Sequence, residues 1–120
     1  MATITATLNI TSSDATSESL AISQTDAITV TNPVVNTARE SVDTVSATTL
    51  VASGKAAITY LYLKNTDATN TLTIRTASAS APYADLSAGE WAFFPVKGTI
   101  GCEVIAVGGP VVAEYGYWTQ

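Results

Sequence analysis

The chain has 120 residues, of which 47% are hydrophobic and only 12% charged, with a net charge of −5. One domain is expected, large enough to build a core without metals or disulfides. The absence of histidine and the single cysteine, Cys102, exclude Ser-His-Asp and Cys-His catalysis, a Cys/His zinc site and an internal disulfide, while the scattered cations Arg39, Lys55, Lys64, Arg75 and Lys97 offer no basic footprint for nucleic acid or an anionic membrane.

Charge stands at about half its usual share, and Thr, Ser and Ala take its place. A chain that covers itself with so little charge often hides surface against a partner, although a threonine-rich sheet also stays soluble. The N-terminus, Met1-Ala2-Thr3-Ile4, has neither a basic region nor an apolar stretch of signal length, and no apolar run reaches transmembrane length.

Period-2 alternation dominates from the start and predicts strands. Ile4, Ala6, Leu8 and Ile10 alternate with Thr3, Thr5, Thr7 and Asn9, which gives a half-buried strand with a threonine outer face. Leu20 and Ile22, then Ile28 and Val30, mark two further short strands, with turn chemistry at residues 12–17 and at Gln24-Thr25-Asp26. Residues 32–48 have no clean period and predict an irregular crossing with room for one short helical turn.

Residues 56–64 are apolar on both alternating faces, as in a central strand buried on both sides. The loop Asn65-Thr66-Asp67-Ala68-Thr69-Asn70 then leads to a strand at residues 71–76, and the pair reads as a hairpin. Residues 90–96 form another strand with Pro95 at an edge, because proline cannot donate to a ladder. Residues 100–107 and 111–118 flank Gly108-Gly109-Pro110 and read as a second hairpin. The fold class is all-β: a β-sandwich or jelly roll of about eight to ten short antiparallel strands in a single domain, residues 1–120.

All nine aromatic residues lie at or after position 60, so the second half is expected to nucleate the core. The first half either completes the same sandwich with small side chains or, at residues 1–17, lies as a strand or arm on a neighbouring subunit. In the last strand Val111, Ala113, Tyr115 and Tyr117 share one face and Val112, Glu114, Gly116 and Trp118 the other. Tyr115, Tyr117 and Trp118, with Ile4, Leu8 and Ile10 at the other end of the chain, are the candidate interface residues; the aromatics equally suit the core of a closing strand.

Candidate chemistry is sparse. Glu103 and Glu114 flank the Gly-Gly-Pro turn and could approach each other as a carboxylate pair, with Asp85 and Glu90 as further acids; a solvated face is the plainer reading. Asn65, Asp67 and Asn70 superficially suit calcium but lack the loop's spacing and closing glutamate, and hairpin turns use the same residue types. Cys102 sits in an alternating strand, where a small buried hydrophobe is its ordinary role. Asn9-Ile10-Thr11 matches a glycosylation sequon without a secretory context. No catalytic, metal or cofactor residue is assigned, and a non-enzyme is expected.

Three segments together resemble small β-rich structural proteins of tailed bacteriophages, of the head decoration or cement type. They are Tyr60-Leu61-Tyr62-Leu63-Lys64-Asn65-Thr66-Asp67, Leu86-Ser87-Ala88-Gly89-Glu90-Trp91-Ala92-Phe93-Phe94-Pro95 and Val111-Val112-Ala113-Glu114-Tyr115-Gly116-Tyr117-Trp118. The resemblance covers about the second half of the chain. It implies a virion protein, assembled in the host cytoplasm, that binds the outer capsid surface as a homo-oligomer, trimer or dimer, and clamps capsomers of the major capsid protein lattice, with no nucleic acid or membrane partner. A neck, tail or fibre component, or a carbohydrate-binding module, is the alternative.

Overall fold

The computed structural model describes residues 2–33 and 37–120, and over these the chain is all-β and antiparallel. Two long strands come first, β1 (Ala2–Ser12) and β2 (Leu20–Val30). They pair only with each other, in one unbroken register from Ala2–Val30 to Ser12–Leu20. Gln24, Thr25 and Asp26 therefore do not form the expected turn. They lie inside β2 opposite Leu8, Thr7 and Ala6, and the Thr7 and Thr25 hydroxyls meet across the ribbon at 3.2 Å. The pairing partner is non-local, so local turn chemistry was overridden.

The remaining strands build two packed sheets. β3 (Asn32–Pro33) and β4 (Ala38–Val42) both flank β11 (Val111–Thr119), which pairs in turn with β6 (Thr59–Asn65), and β9 (Trp91–Val96) closes that sheet. The second sheet runs β5 (Thr48–Val51), β10 (Cys102–Val107), β7 (Thr71–Arg75), β8 (Pro82–Leu86). Leu61, Leu63, Val111 and Ala113 from the first sheet meet Leu72, Ile74, Val104 and Ala106 from the second in the core. Residues 34–36 of the expected irregular crossing lie outside the described residues; the rest of it holds β3, β4 and the start of β5, with no helical turn.

Both expected hairpins in the second half are sheet-to-sheet crossings. β6 and β7 belong to different sheets, and so do β10 and β11. The first crossing is organised by Asn65, which is fully buried. Its Nδ2 donates to the carbonyls of Asn70 and Leu86, both at 2.9 Å, and its Oδ1 accepts from the Asp67 amide at 2.9 Å. A side chain that satisfies three backbone groups between the layers turns the chain across the sandwich rather than back along one sheet.

β6 is central, as expected, between β11 and β9, but it begins at Thr59 and only one of its faces is buried, Tyr60, Tyr62 and Lys64 being half-buried on the other; β9 is an edge strand with Pro95 exposed. Gly89 precedes β9 with φ +79°, a conformation other residues resist, and the Glu90 carboxylate accepts from the Ser87 amide at 2.6 Å. The fully buried large side chains are aliphatic rather than aromatic. Phe94, Tyr115 and Tyr117 pack against the core. By register, Tyr60, Tyr62, Trp91, Phe93 and Trp118 stand on the outer face of the larger sheet.

Candidate functional site

The β1–β2 ribbon has two unlike faces. Thr3, Thr5, Thr7, Asn9 and Thr11 line one, opposite Thr29, Ala27, Thr25, Ser23 and Ala21. The other carries Ile4, Leu8 and Ile10 on β1 with Ile22, Ile28 and Val30 on β2. This apolar face turns toward the outer face of the larger sheet. At the base of the ribbon it is sealed: Val30 is 0% and Ile28 6% exposed. Farther out it is not: Leu8 and Ile10 are 42% and Ile22 39% exposed. The backbone is tied at the base, where the Thr31 amide donates to the Thr119 carbonyl at 3.0 Å. The ribbon is thus an arm, anchored at one end and uncovered along its far half.

Beneath the arm lies an apolar cleft of about 510 Å³, walled by β1 from Ile4 to Leu8 and floored by Tyr62, Trp91, Phe93 and Trp118. Trp91 is 54% exposed. Tyr60 and Phe93 stack beside it, ring centroids 6.1 Å apart and 14° from parallel. Trp118 fits because residue 116 is glycine: a Cβ there would stand 3.3 Å from its Cη2. The indole thus lies over a strand position that carries no side chain.

At one border of the floor, Lys64 stands beside Trp91 on one strand and Glu114 on the other, and Arg39 lies beyond Glu114. Arg39 donates from Nε (3.2 Å) and Nη2 (3.0 Å) to Glu114 Oε2, and the Tyr62 hydroxyl donates to Oε1 at 3.0 Å. The Tyr62 bond, then Arg39, holds the Glu114 carboxyl below its ordinary range. Burial first, and then the same carboxylate, raises the Tyr62 phenol. An acceptor already shared by two donors is a structural tie, not a free general base.

Of the interface residues expected from sequence, Ile4, Leu8, Ile10 and Trp118 come together at the arm and cleft. Tyr115 and Tyr117 do not: they face inward against the core, and the Tyr115 hydroxyl donates to Glu40 at 3.3 Å. Trp118 stands inside its sheet, between Pro33 and Tyr60, because β11 is flanked on both sides. The partner strand's Leu20 and Ile22, and the floor residues Tyr62, Trp91 and Phe93, escaped sequence reasoning. Their signal was the second apolar face of residues 56–64, which needed a cover that the two sheets alone do not supply.

The carboxylate pair does not form. Glu103 and Glu114 lie in different sheets, and Glu103 instead accepts from Arg75 at 2.6 Å and from Ser80 at 2.9 Å. The Asp67 carboxylate is spent on the turn, accepting from the Thr69 and Asn70 amides at 2.9 and 2.6 Å. Among the described residues no group of three Cys, His, Asp or Glu side chains could hold a metal. Cys102 is fully buried, and burial pushes its thiol up to about 11. Comparisons with protein-family models, curated proteins and solved structures return no match.

Proposed function

We propose that this chain is a structural subunit of a virion, a decoration or cement protein that binds the outside of a capsid and stabilises contacts between capsomers. The observation that carries the reading is the arm, a ribbon of eleven residues per strand whose aliphatic stripe is uncovered at Leu8, Ile10 and Ile22. An isolated two-stranded ribbon is marginal in water. One that keeps apolar side chains exposed over its far half is built to be covered by another protein surface. The likeness of the β6, β9 and β11 segments to phage decoration proteins supplies the kind of assembly. A repeated lattice suits such a subunit, because many weak contacts add by avidity.

Quantitative mass spectrometry of purified virions from the source phage tests this. Hundreds of copies per particle are expected. A handful, in threes, sixes or twelves, transfers the protein to a neck, tail or fibre, and complete absence removes the virion reading. A carbohydrate-binding module is the second reading, favoured by the exposed Trp91 beside Tyr62 and Phe93, since aromatic faces stack on sugar rings. Titration with oligosaccharides, followed by tryptophan fluorescence, separates it.

A further inference from the structure

The cleft floored by Tyr62, Trp91, Phe93 and Trp118 has three chemically different sides. Its floor is aromatic, and the Trp91 ring is 54% exposed there. Its wall is the edge of β1. That strand pairs only with β2, so the outward backbone N–H and C=O groups between Ile4 and Leu8 have no strand to pair with. Its border is charged. Lys64 follows Tyr62 on the same face of β6 and stands opposite Trp91 in the ladder, so its side chain rises beside the indole. Among the described residues the ion pairs join Arg39 to Glu114 and Arg75 to Glu103, which leaves Lys64 without a carboxylate partner. Glu114 is held by Arg39 and Tyr62, and Glu90, the residue before Trp91, turns its carboxylate onto the Ser87 amide. The row Arg39, Glu114, Lys64 thus sets two cations against one carboxylate.

We propose that this cleft binds an acidic oligosaccharide, with a ring stacked on Trp91, its carboxylate on the Lys64 ammonium and its hydroxyls on the open edge of β1. The proposal rests on the carbohydrate reading of the cleft and names the class of sugar and the residues that take it. Ile10 and Ile22 line no part of the cleft and stay free for a capsid.

Each side of the cleft argues against a different occupant. An apolar ligand would strip water from the backbone groups of the β1 edge without replacing its hydrogen bonds. A neutral sugar would leave Lys64 unmatched. An added strand would satisfy the edge but bring no flat face to the indole. A sugar acid brings an apolar ring face, hydroxyls that both donate and accept, and a carboxylate. The volume of about 510 Å³ lies within the roughly 300–1,000 Å³ of small-ligand sites. The cleft on the β2 side of the arm is lined by Asp26 and by no cation, so an anion is directed to the Trp91 side.

Calorimetry and tryptophan emission of the full chain test the proposal, with tetramers of galacturonate and of mannuronate and sialyllactose as probes, each beside its neutral methyl ester. Saturable binding of at least one acid is expected, with a changed emission and an affinity that falls as salt is raised. Its ester should bind about tenfold more weakly or worse. Trp91→Ala, at an exposed position, should weaken the acid by a similar factor, and Lys64→Gln should bring acid and ester to the same affinity. Failure of every acid to bind overturns the proposal. So does an ester bound as tightly as its acid, a polyglutamate that competes as well as the sugar, or binding that Trp91→Ala leaves unchanged. Binding of neutral sugars alone removes the acidic preference and keeps the carbohydrate reading, whereas binding of no sugar removes both. Virion copy number is untouched by any of these results, so the decoration reading stands or falls separately.

Discussion

Asn65 joins three backbone groups at the point where β6 leaves its sheet, and none of its polar atoms reaches water. Asn65→Ala orphans two carbonyls and an amide, and buried groups without partners cost roughly 1–3 kcal/mol each before relaxation. A loss of about 3 kcal/mol in urea unfolding is expected; a loss under about 1 kcal/mol contradicts this role. Glu103 offers a second test. Its bond to Arg75 first, and then that to Ser80, holds its carboxyl below the ordinary 4.5 in the fold. A depressed carboxyl contributes stability that is complete above its unfolded value and is lost as pH falls through its folded value. Wild type should therefore lose more stability than Glu103→Gln between neutral pH and the acid side of 4.5, read from urea midpoints. Cys102 should resist alkylation at neutral pH until the chain unfolds, because its thiol is both buried and raised to about 11. At this scale the sequence was partly legible. Asp67 and Asn70 read correctly as turn residues and Cys102 as a small hydrophobe. The burial of Asn65 did not show, because an asparagine next to a loop looks the same whether it faces water or spans two layers.

The strands were legible as strands because alternation records a half-buried surface wherever it occurs. What alternation does not record is the neighbour. A polar loop or a Gly-Gly-Pro turn reverses the chain whether it stays in one sheet or crosses to the other, so both crossings looked like hairpins. The long β2 was divided for the opposite reason: Gln24 and Asp26 on its apolar face resemble a break, although the ladder to β1 runs through them without interruption. The arm gives an internal comparison between its two ends. Ile28→Ala, at the sealed base, should destabilise the fold by about 2–4 kcal/mol, as for other buried isoleucines. Ile22→Ala, on the uncovered half, should cost less than about 1 kcal/mol at concentrations too low for association. Equal losses in urea unfolding would mean that the far half is supported after all. Gly116→Val tests the fit between β11 and the arm. Its Cβ would stand 3.3 Å from the Trp118 Cη2 and press the indole aside, so a changed tryptophan emission and a loosened arm are expected, with the core strands still protected in hydrogen exchange.

As a whole the molecule divides its labour. The sandwich holds the aliphatic core, whose buried cluster runs from Val42 to Ala113 and includes Val42, Leu50 and Val51 of the first half. The first thirty residues do not complete that sandwich. They spend their alternation on a ribbon whose two faces are both legible in the sequence, threonine on one and aliphatic on the other, and whose far half is uncovered at Leu8, Ile10 and Ile22. The arm needs both strands, so removing residues 2–17 alone would strip β2 of its partner rather than test the surface. Substitution is the sharper tool. Triple replacement of Leu8, Ile10 and Ile22 by aspartate leaves the core untouched and makes the stripe repellent. The most direct measurement of the proposed decoration role is co-sedimentation of the full chain with tailed-phage capsids that lack it, with and without this triple replacement. Saturable binding by wild type at lattice stoichiometry, weakened at least about tenfold in the variant, is the predicted result. Capsids that take up neither protein, or both equally, would contradict an arm built for assembly on a shell.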